Sequence, residues 1–169
     1  MSNFTTSQNG IDLIMFYEGC VLSAYQDSVG IWTIGYGHTG PGVHSGLVIS
    51  KQYAETLLIN DLKIFEGIIN QCVTSQINQH QFDALVSFVY NVGPGKTGVK
   101  DGLVHLKSGV SSTLLSDVNG SRFTKAAADF LQWNRAGGKV LAGLTKRRKS
   151  ESNLFLSGTL DFINNGVMV

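Results

Sequence analysis

Glu18, Asp27 and Thr33 bring two carboxyls and a hydroxyl into one short stretch, E-G-C-V-L-S-A-Y-Q-D-S-V-G-I-W-T-I-G-Y-G-H. An acid, a base and a group that positions water are what hydrolysis of a glycosidic bond requires. Each residue alone has a plainer explanation. Glu18 is an exposed helix end, Asp27 a turn aspartate that needs no function, and Thr33 an ordinary strand residue. Taken together, the spacing Glu-x8-Asp-x5-Thr across a helix end, a turn and a strand is a sharper signal than any of the three.

The elements that must hold these residues follow from local patterning. Thr5, Thr6 or Ser7 caps a first helix, and Ile11, Ile14, Met15 and Tyr17 give it an apolar side. Glu18-Gly19 closes it, with Gly19 placed for the left-handed residue after a helix end. A carboxyl there faces the negative end of the helix dipole, which disfavours its charged form, as a general acid needs. Residues 23–37 read as a hairpin, with Tyr25 on one side, Ser28-Val29-Gly30 at the turn and Ile31-Trp32-Thr33-Ile34 on the other. Alternation puts Thr33 on the face opposite Trp32 and Ile34. The run of glycines at 35, 37, 40, 42 and 46 is loop.

From Ser50 the spacing turns helical. Ser50 caps a helix in which Tyr53, Leu57, Leu58, Leu62, Phe65, Ile68 and Ile69 recur up to Cys72. Asn78 or Thr74 opens another, with Phe82, Leu85, Val86, Val89 and Tyr90 inward, stopped by Asn91-Val92-Gly93-Pro94-Gly95. Shorter helices are expected over 99–107 and 112–118. Two more are expected over 124–133 and from 138 to 155. The result is α+β, mostly α, with a small hairpin lobe, a larger helical lobe and a cleft between them. One domain spans 1–169: a hairpin lobe at about 1–60, a connecting helix at about 50–75 and a helical lobe at about 76–169.

The 169 residues are 43% apolar and 15% charged, a globular composition with a formal net charge of +1 and no global pull toward nucleic acid. Cys20 and Cys72 are too few for a disulfide framework and read as small buried residues. The polar N-terminus carries no basic residue ahead of an apolar run, and no stretch reaches a membrane span, so a cytosolic start is expected. No metal-ligand cluster or phosphate loop is apparent, so no cofactor is expected. His44, His80 and His105 read as surface or partly packed residues, and Trp32 and Trp133 as core. Lys146-Arg147-Arg148-Lys149 reads as the solvated face of the last helix, with Arg147 and Glu151 paired one turn apart.

The residues also resemble a known family, the phage-type lysozymes of glycoside hydrolase family 24. Beyond the acidic stretch, the resemblance rests on Thr33-Ile34-Gly35-Tyr36-Gly37-His38, Gln81-Phe82-Asp83-Ala84-Leu85 with Phe88, and Asn91-Val92-Gly93. It continues through Phe130-Leu131-Gln132-Trp133-Asn134 and Gly143-Leu144-Thr145-Lys146-Arg147-Arg148 with Glu151 and Leu154-Phe155. The resemblance implies a lysozyme-like fold and cleavage of the β-1,4 bond between N-acetylmuramic acid and N-acetylglucosamine in bacterial peptidoglycan. It implies Glu18 as general acid, Asp27 as support for the attacking water or the sugar cation, and Thr33 as water-positioning hydroxyl. Tyr36 and His38 are carried as substrate-binding candidates. It further implies release to the wall through a hole formed by a separate membrane protein; accumulation in the host cytosol is expected from the absence of a signal, and a monomer is the default expectation. A lytic transglycosylase cutting the same bond, which needs neither Asp27 nor Thr33, is the competing enzyme class. A non-catalytic glycan-binding module is the competing non-enzyme.

Overall fold

The computed structural model describes residues 3–164, 167 and 168. From the N-terminus the chain forms α1 (Gln8–Glu18), β1 (Val21–Gln26), β2 (Trp32–Gly35), β3 (His38–Thr39), α2 (Lys51–Cys72) and α3 (Gln79–Val92). It continues through α4 (Thr113–Asn119), α5 (Phe123–Phe130), β4 (Arg135–Ala136), β5 (Lys139–Val140), α6 (Ala142–Ser157), β6 (Ile163–Asn164) and β7 (Val167–Met168). Among the described residues, six helices and small antiparallel sheets make an α+β fold that is mostly helical, as the sequence implied. None of those helices is long and apolar enough to cross a membrane.

α3 is the central element, burying Gln81, Asp83 and Ser87 together with its apolar residues. All residues from Gln81 to Val89 are buried, and α1, α2 and α6 pack around it. A capping box starts it, Asn78 accepting from the Gln81 amide while Gln81 reaches back to the Asn78 amide. Gly93, at φ +88°, lets the chain leave in a conformation other residues resist. α2 starts as expected, with the Tyr53 amide donating to Ser50 Oγ at 3.1 Å. Ala54, Leu58, Leu62 and Ile69 are its buried residues, whereas Tyr53, expected inward, is 53% exposed.

Ser7 occupies the cap position of α1, but its hydroxyl does not cap that helix. Its amide and hydroxyl donate instead to the Asp83 carboxylate on α3, and the Thr6 amide and hydroxyl donate to Glu66 on α2. The start of α1 is therefore fastened to both neighbouring helices. Its end, Glu18, stands directly before β1.

β1, β2 and β3 form one antiparallel sheet in that order, with Tyr25 opposite Thr33 and Gln26 opposite Trp32. The free edge of β1 is covered by residues 47–49, through Ala24 N to Leu47 O and Ile49 N to Leu22 O, both 2.9 Å. β2 does not alternate between core and solvent, because Thr33 and Ile34 are both buried. This sheet packs against α2 through β2 and β3.

Three expectations are corrected. Residues 99–107 form no helix; glycines at 95, 98, 102 and 109 make a folded loop there, in which Gly95 and Gly102 cross backbone to backbone. A Cβ on Gly102 would lie 2.5 Å from Gly95 Cα, so Gly102→Ala is expected to lower the thermal midpoint sharply while Gly42→Ala, which faces open space, leaves it within a few degrees. Thermal melts followed by circular dichroism check this. The helix expected over 124–133 ends at Phe130, three residues early. The last helix starts at Ala142, because residues 135–140 form the β4–β5 hairpin, turned by Gly137 and Gly138 at φ +56° and +78°.

Candidate active site

Glu18 lines a cleft of about 430 Å³ together with Gly37 and Thr39 from the sheet, Asp61, Ile64 and Phe65 from α2, and Tyr90 and Asn91 from α3. A neighbouring depression of about 350 Å³ shares Glu18 and Asn91 and is closed by Tyr17, Leu141, Gly143, Leu144 and Arg147. Glu18 thus stands where the sheet, the central helix and the start of α6 converge.

Its carboxylate is held from beneath. Arg147 Nη1 donates to Glu18 Oε1 at 2.6 Å, and the Arg147 side chain is 4% exposed against 22% for Glu18. The same guanidinium donates through Nε to Glu151 Oε1 at 3.2 Å and through Nη2 to Ser87 O at 3.3 Å. Burial works against the charge on Arg147, but Glu151 and Glu18 outweigh it and hold its pKa above the ordinary value. Arg148 lies deeper, over the Phe88 ring at 4.9 Å, and burial lowers its pKa, with Arg147 adding to the effect and Glu151 opposing it. It donates to Asn91 Oδ1 at 2.9 Å and to Glu151 Oε1 at 3.1 Å. Its Nε also faces Glu151 Oε2 at 2.8 Å, at an angle outside hydrogen-bond geometry, so charge alone holds that contact.

The basic run is therefore not a solvated face. Lys146 and Lys149 are exposed, whereas Arg147 and Arg148 are buried, although the expected Arg147–Glu151 pair is present. Nothing local marks this, and Arg147 and Arg148 are buried because α6 presses that side against α3. Asp61, Tyr90 and Asn91 carried no chemical pattern in the sequence beyond helix membership, and only the packing of α2 against α3 brings them to Glu18.

Asp27 lies at the β1–β2 turn, its Oδ1 accepting from the Val29 and Ile31 amides at 2.9 Å each. Thr33 is 5% exposed, and its hydroxyl donates to Ile31 O at 3.0 Å. His38 Nδ1 meets Asp61 Oδ2 at 2.8 Å, one residue from Gly37 and Thr39 in the cleft wall. Tyr36 is 4% exposed and belongs to the core. Burial, with the Cys20 thiol adding, pushes its phenol up to about 12. Its carbonyl accepts from Tyr90 Oη at 2.8 Å, which fastens the exit of β2 to α3. Burial raises the Tyr90 pKa, and the nearby carboxylates of Glu18 and Asp61 raise it further.

Residues 15–151 match the family described as phage lysozyme. The chain belongs to the phage lysozyme family. It is 47% identical over 154 residues to the endolysin of Bacillus phage B103, covering 90% of this chain and 54% of that one, so it spans about half the length of that relative. Two solved structures share the fold. The endolysin from Escherichia coli O157:H7 phage FAHEc1 is 32% identical with a TM-score of 0.78, covering 94% of this chain and 97% of that one. The muramidase domain of SpmX from Asticaccaulis excentricus is 36% identical with a TM-score of 0.76, covering 90% and 98%.

The remaining sequence expectations divide. His44 and His105 are exposed and His80 is partly packed, as read. Both Trp32 and Trp133 are half-buried; Trp133 packs against the core, meeting Phe88 edge-on at 5.4 Å, whereas Trp32 does not. Cys20 is exposed, contrary to the expected burial, because it lies in the short turn between α1 and β1. Cys72 is half-buried, and burial pushes its thiol up to about 11. A maleimide at pH 7.5 is therefore expected to modify Cys20 about tenfold or more faster than Cys72 in the folded protein. Mass spectrometry of a time course checks this, and equal rates would contradict it.

Proposed function

We propose that this chain is a muramidase endolysin, hydrolysing the β-1,4 bond between N-acetylmuramic acid and N-acetylglucosamine in bacterial peptidoglycan. The observation that carries the reading is Glu18 in the cleft wall, held at 2.6 Å by a buried arginine, in a chain of the phage lysozyme family. The likeness to a domain described as a muramidase supports the choice of bond.

In this reading Glu18 is the general acid. It delivers its proton to the glycosidic oxygen as the bond lengthens, and the Arg147 guanidinium stabilises the carboxylate left behind. Asp27 supports the attacking water or the positive charge at the sugar carbon through Oδ2, since the turn amides take Oδ1. Thr33 gives its own proton inward to Ile31 O, which leaves its oxygen lone pairs to accept from that water. His38 orders the cleft wall through Asp61. Tyr36, 4% exposed, is the second candidate contact and can offer a sugar no more than the edge of its ring. A monomeric single domain, accumulation in the host cytosol and release through a hole made by a separate membrane protein complete the proposal.

The test is to add the intact protein to outer-membrane-permeabilised bacteria and follow both turbidity and the new chemical ends. Clearing with new reducing sugars and no new free amino groups is expected. New amino groups without reducing sugars would mean that a peptide bond is cut, and the reading would fall.

A further inference from the structure

Glu151 is fully buried on α6 and separated from Glu18 by one guanidinium. Its Oε1 accepts from Ser87 Oγ at 2.8 Å, Arg147 Nε at 3.2 Å and Arg148 Nη2 at 3.1 Å. A carboxylate removed from water this completely is stable only when paired and hydrogen-bonded, and here two arginines and a serine do that. The consequence for Arg147 is geometric. Nε is taken by Glu151 and Nη2 by Ser87 O, so the planar fork has one orientation, with Nη1 toward Glu18. The consequence for Glu18 is electrostatic: Arg147, Arg148 and Glu151 together carry one net positive charge, which the Glu18 carboxylate balances.

Two further carboxylates stand around the cluster, each engaged by other partners. α1 presents Tyr17, whose ring lies 5.7 Å from the Arg147 guanidinium, and α2 presents Asp61, engaged with His38 from β3. α3 presents Tyr90 and the neutral Ser87 and Asn91. Asp161, beyond α6, is engaged by Ser150, itself bonded to Tyr17 Oη, and by Asn153. Cys20, in the turn after α1, lies beside Tyr36.

We propose that Glu151 is a positioning residue for the reaction at Glu18: it orients Arg147 and offsets Arg148, so that the acid faces one net positive charge and not two. Its bearing on catalysis rests on Glu18 being the acid; its bearing on the Glu18 proton does not. In Glu151→Gln the side chain keeps its shape and an acceptor oxygen but loses the charge. The Glu18 proton is then held against an additional positive charge and leaves at lower pH.

The experiment is a carbon-13 carboxyl NMR titration of Glu18 in the intact protein, in Glu151→Gln, in Arg148→Gln and in the double variant. The Glu18 midpoint is expected to fall by about one pH unit in Glu151→Gln, to rise by a similar amount in Arg148→Gln, and to return near the intact value in the double variant. The basic limb of the pH–activity profile should move with it, in kcat more than in KM. An unmoved or raised midpoint in a folded Glu151→Gln overturns the proposal. If that variant fails to fold, Arg148→Gln decides alone: a raised midpoint supports the charge balance and an unmoved one overturns it. Should the midpoints move as expected while the intact protein releases no reducing sugar, the muramidase reading fails and the charge balance stands.

Discussion

Glu18→Gln is expected to lower the rate of reducing-end release by a factor of about 10² to 10⁴, the range that general acid catalysis contributes. Gln keeps the size of the side chain and an oxygen that can accept from Arg147 Nη1, so the contact at 2.6 Å survives in altered form. What disappears is the transferable proton. The thermal midpoint should move by no more than about a few degrees, because Arg147 remains anchored by Glu151 and Ser87. Loss of activity with an unchanged thermal midpoint therefore speaks to chemistry. Loss of both would mean that Glu18 is structural.

Phe88→Ala is expected to show the reverse pattern, with stability lost first. Phe88 is fully buried on α3 and meets Phe130 at 5.4 Å and Trp133 at 5.4 Å, both edge-on, while the Arg148 guanidinium stacks on it at 4.9 Å. Truncating a buried phenylalanine costs about 3–5 kcal/mol through lost transfer energy and the cavity left behind. For a chain of this size that corresponds to a fall in Tm on the order of 10 °C. Activity should decline as well, since the ring is the floor on which Arg148 and, through Glu151, Arg147 are held. A thermal melt alongside an assay well below the new midpoint separates the two effects. A change in Tm of under about 2 °C would contradict the packing described.

The two predictions mark what the sequence could and could not say. Capping residues and apolar spacing located α2 and α3 almost to the residue, because Ser50 and Asn78 bond their own helix starts and Gly93 has a local conformational reason to end one. Local rules failed at residues 99–107, where helical spacing of Val99, Leu103 and Leu106 lost to the backbone crossing of Gly95 and Gly102. They also failed where glycines turned residues 135–140 into a hairpin. The acidic stretch was legible because Glu18, Asp27 and Thr33 lie close in sequence around one helix end and one hairpin. The support beneath it was not, since Arg147 reaches Glu18 across 129 positions and Glu151 reaches Ser87 across 64. A charged run reads as surface until its helix is seen to press that side against α3.

The most direct measurement is digestion of purified peptidoglycan by the intact protein in oxygen-18 water, with the released fragments weighed by mass spectrometry. Hydrolysis with Glu18 as acid predicts one heavy oxygen per cut, on the reducing end of N-acetylmuramic acid. Fragments ending in anhydro-muramic acid without heavy oxygen, or heavy oxygen on N-acetylglucosamine, would contradict it.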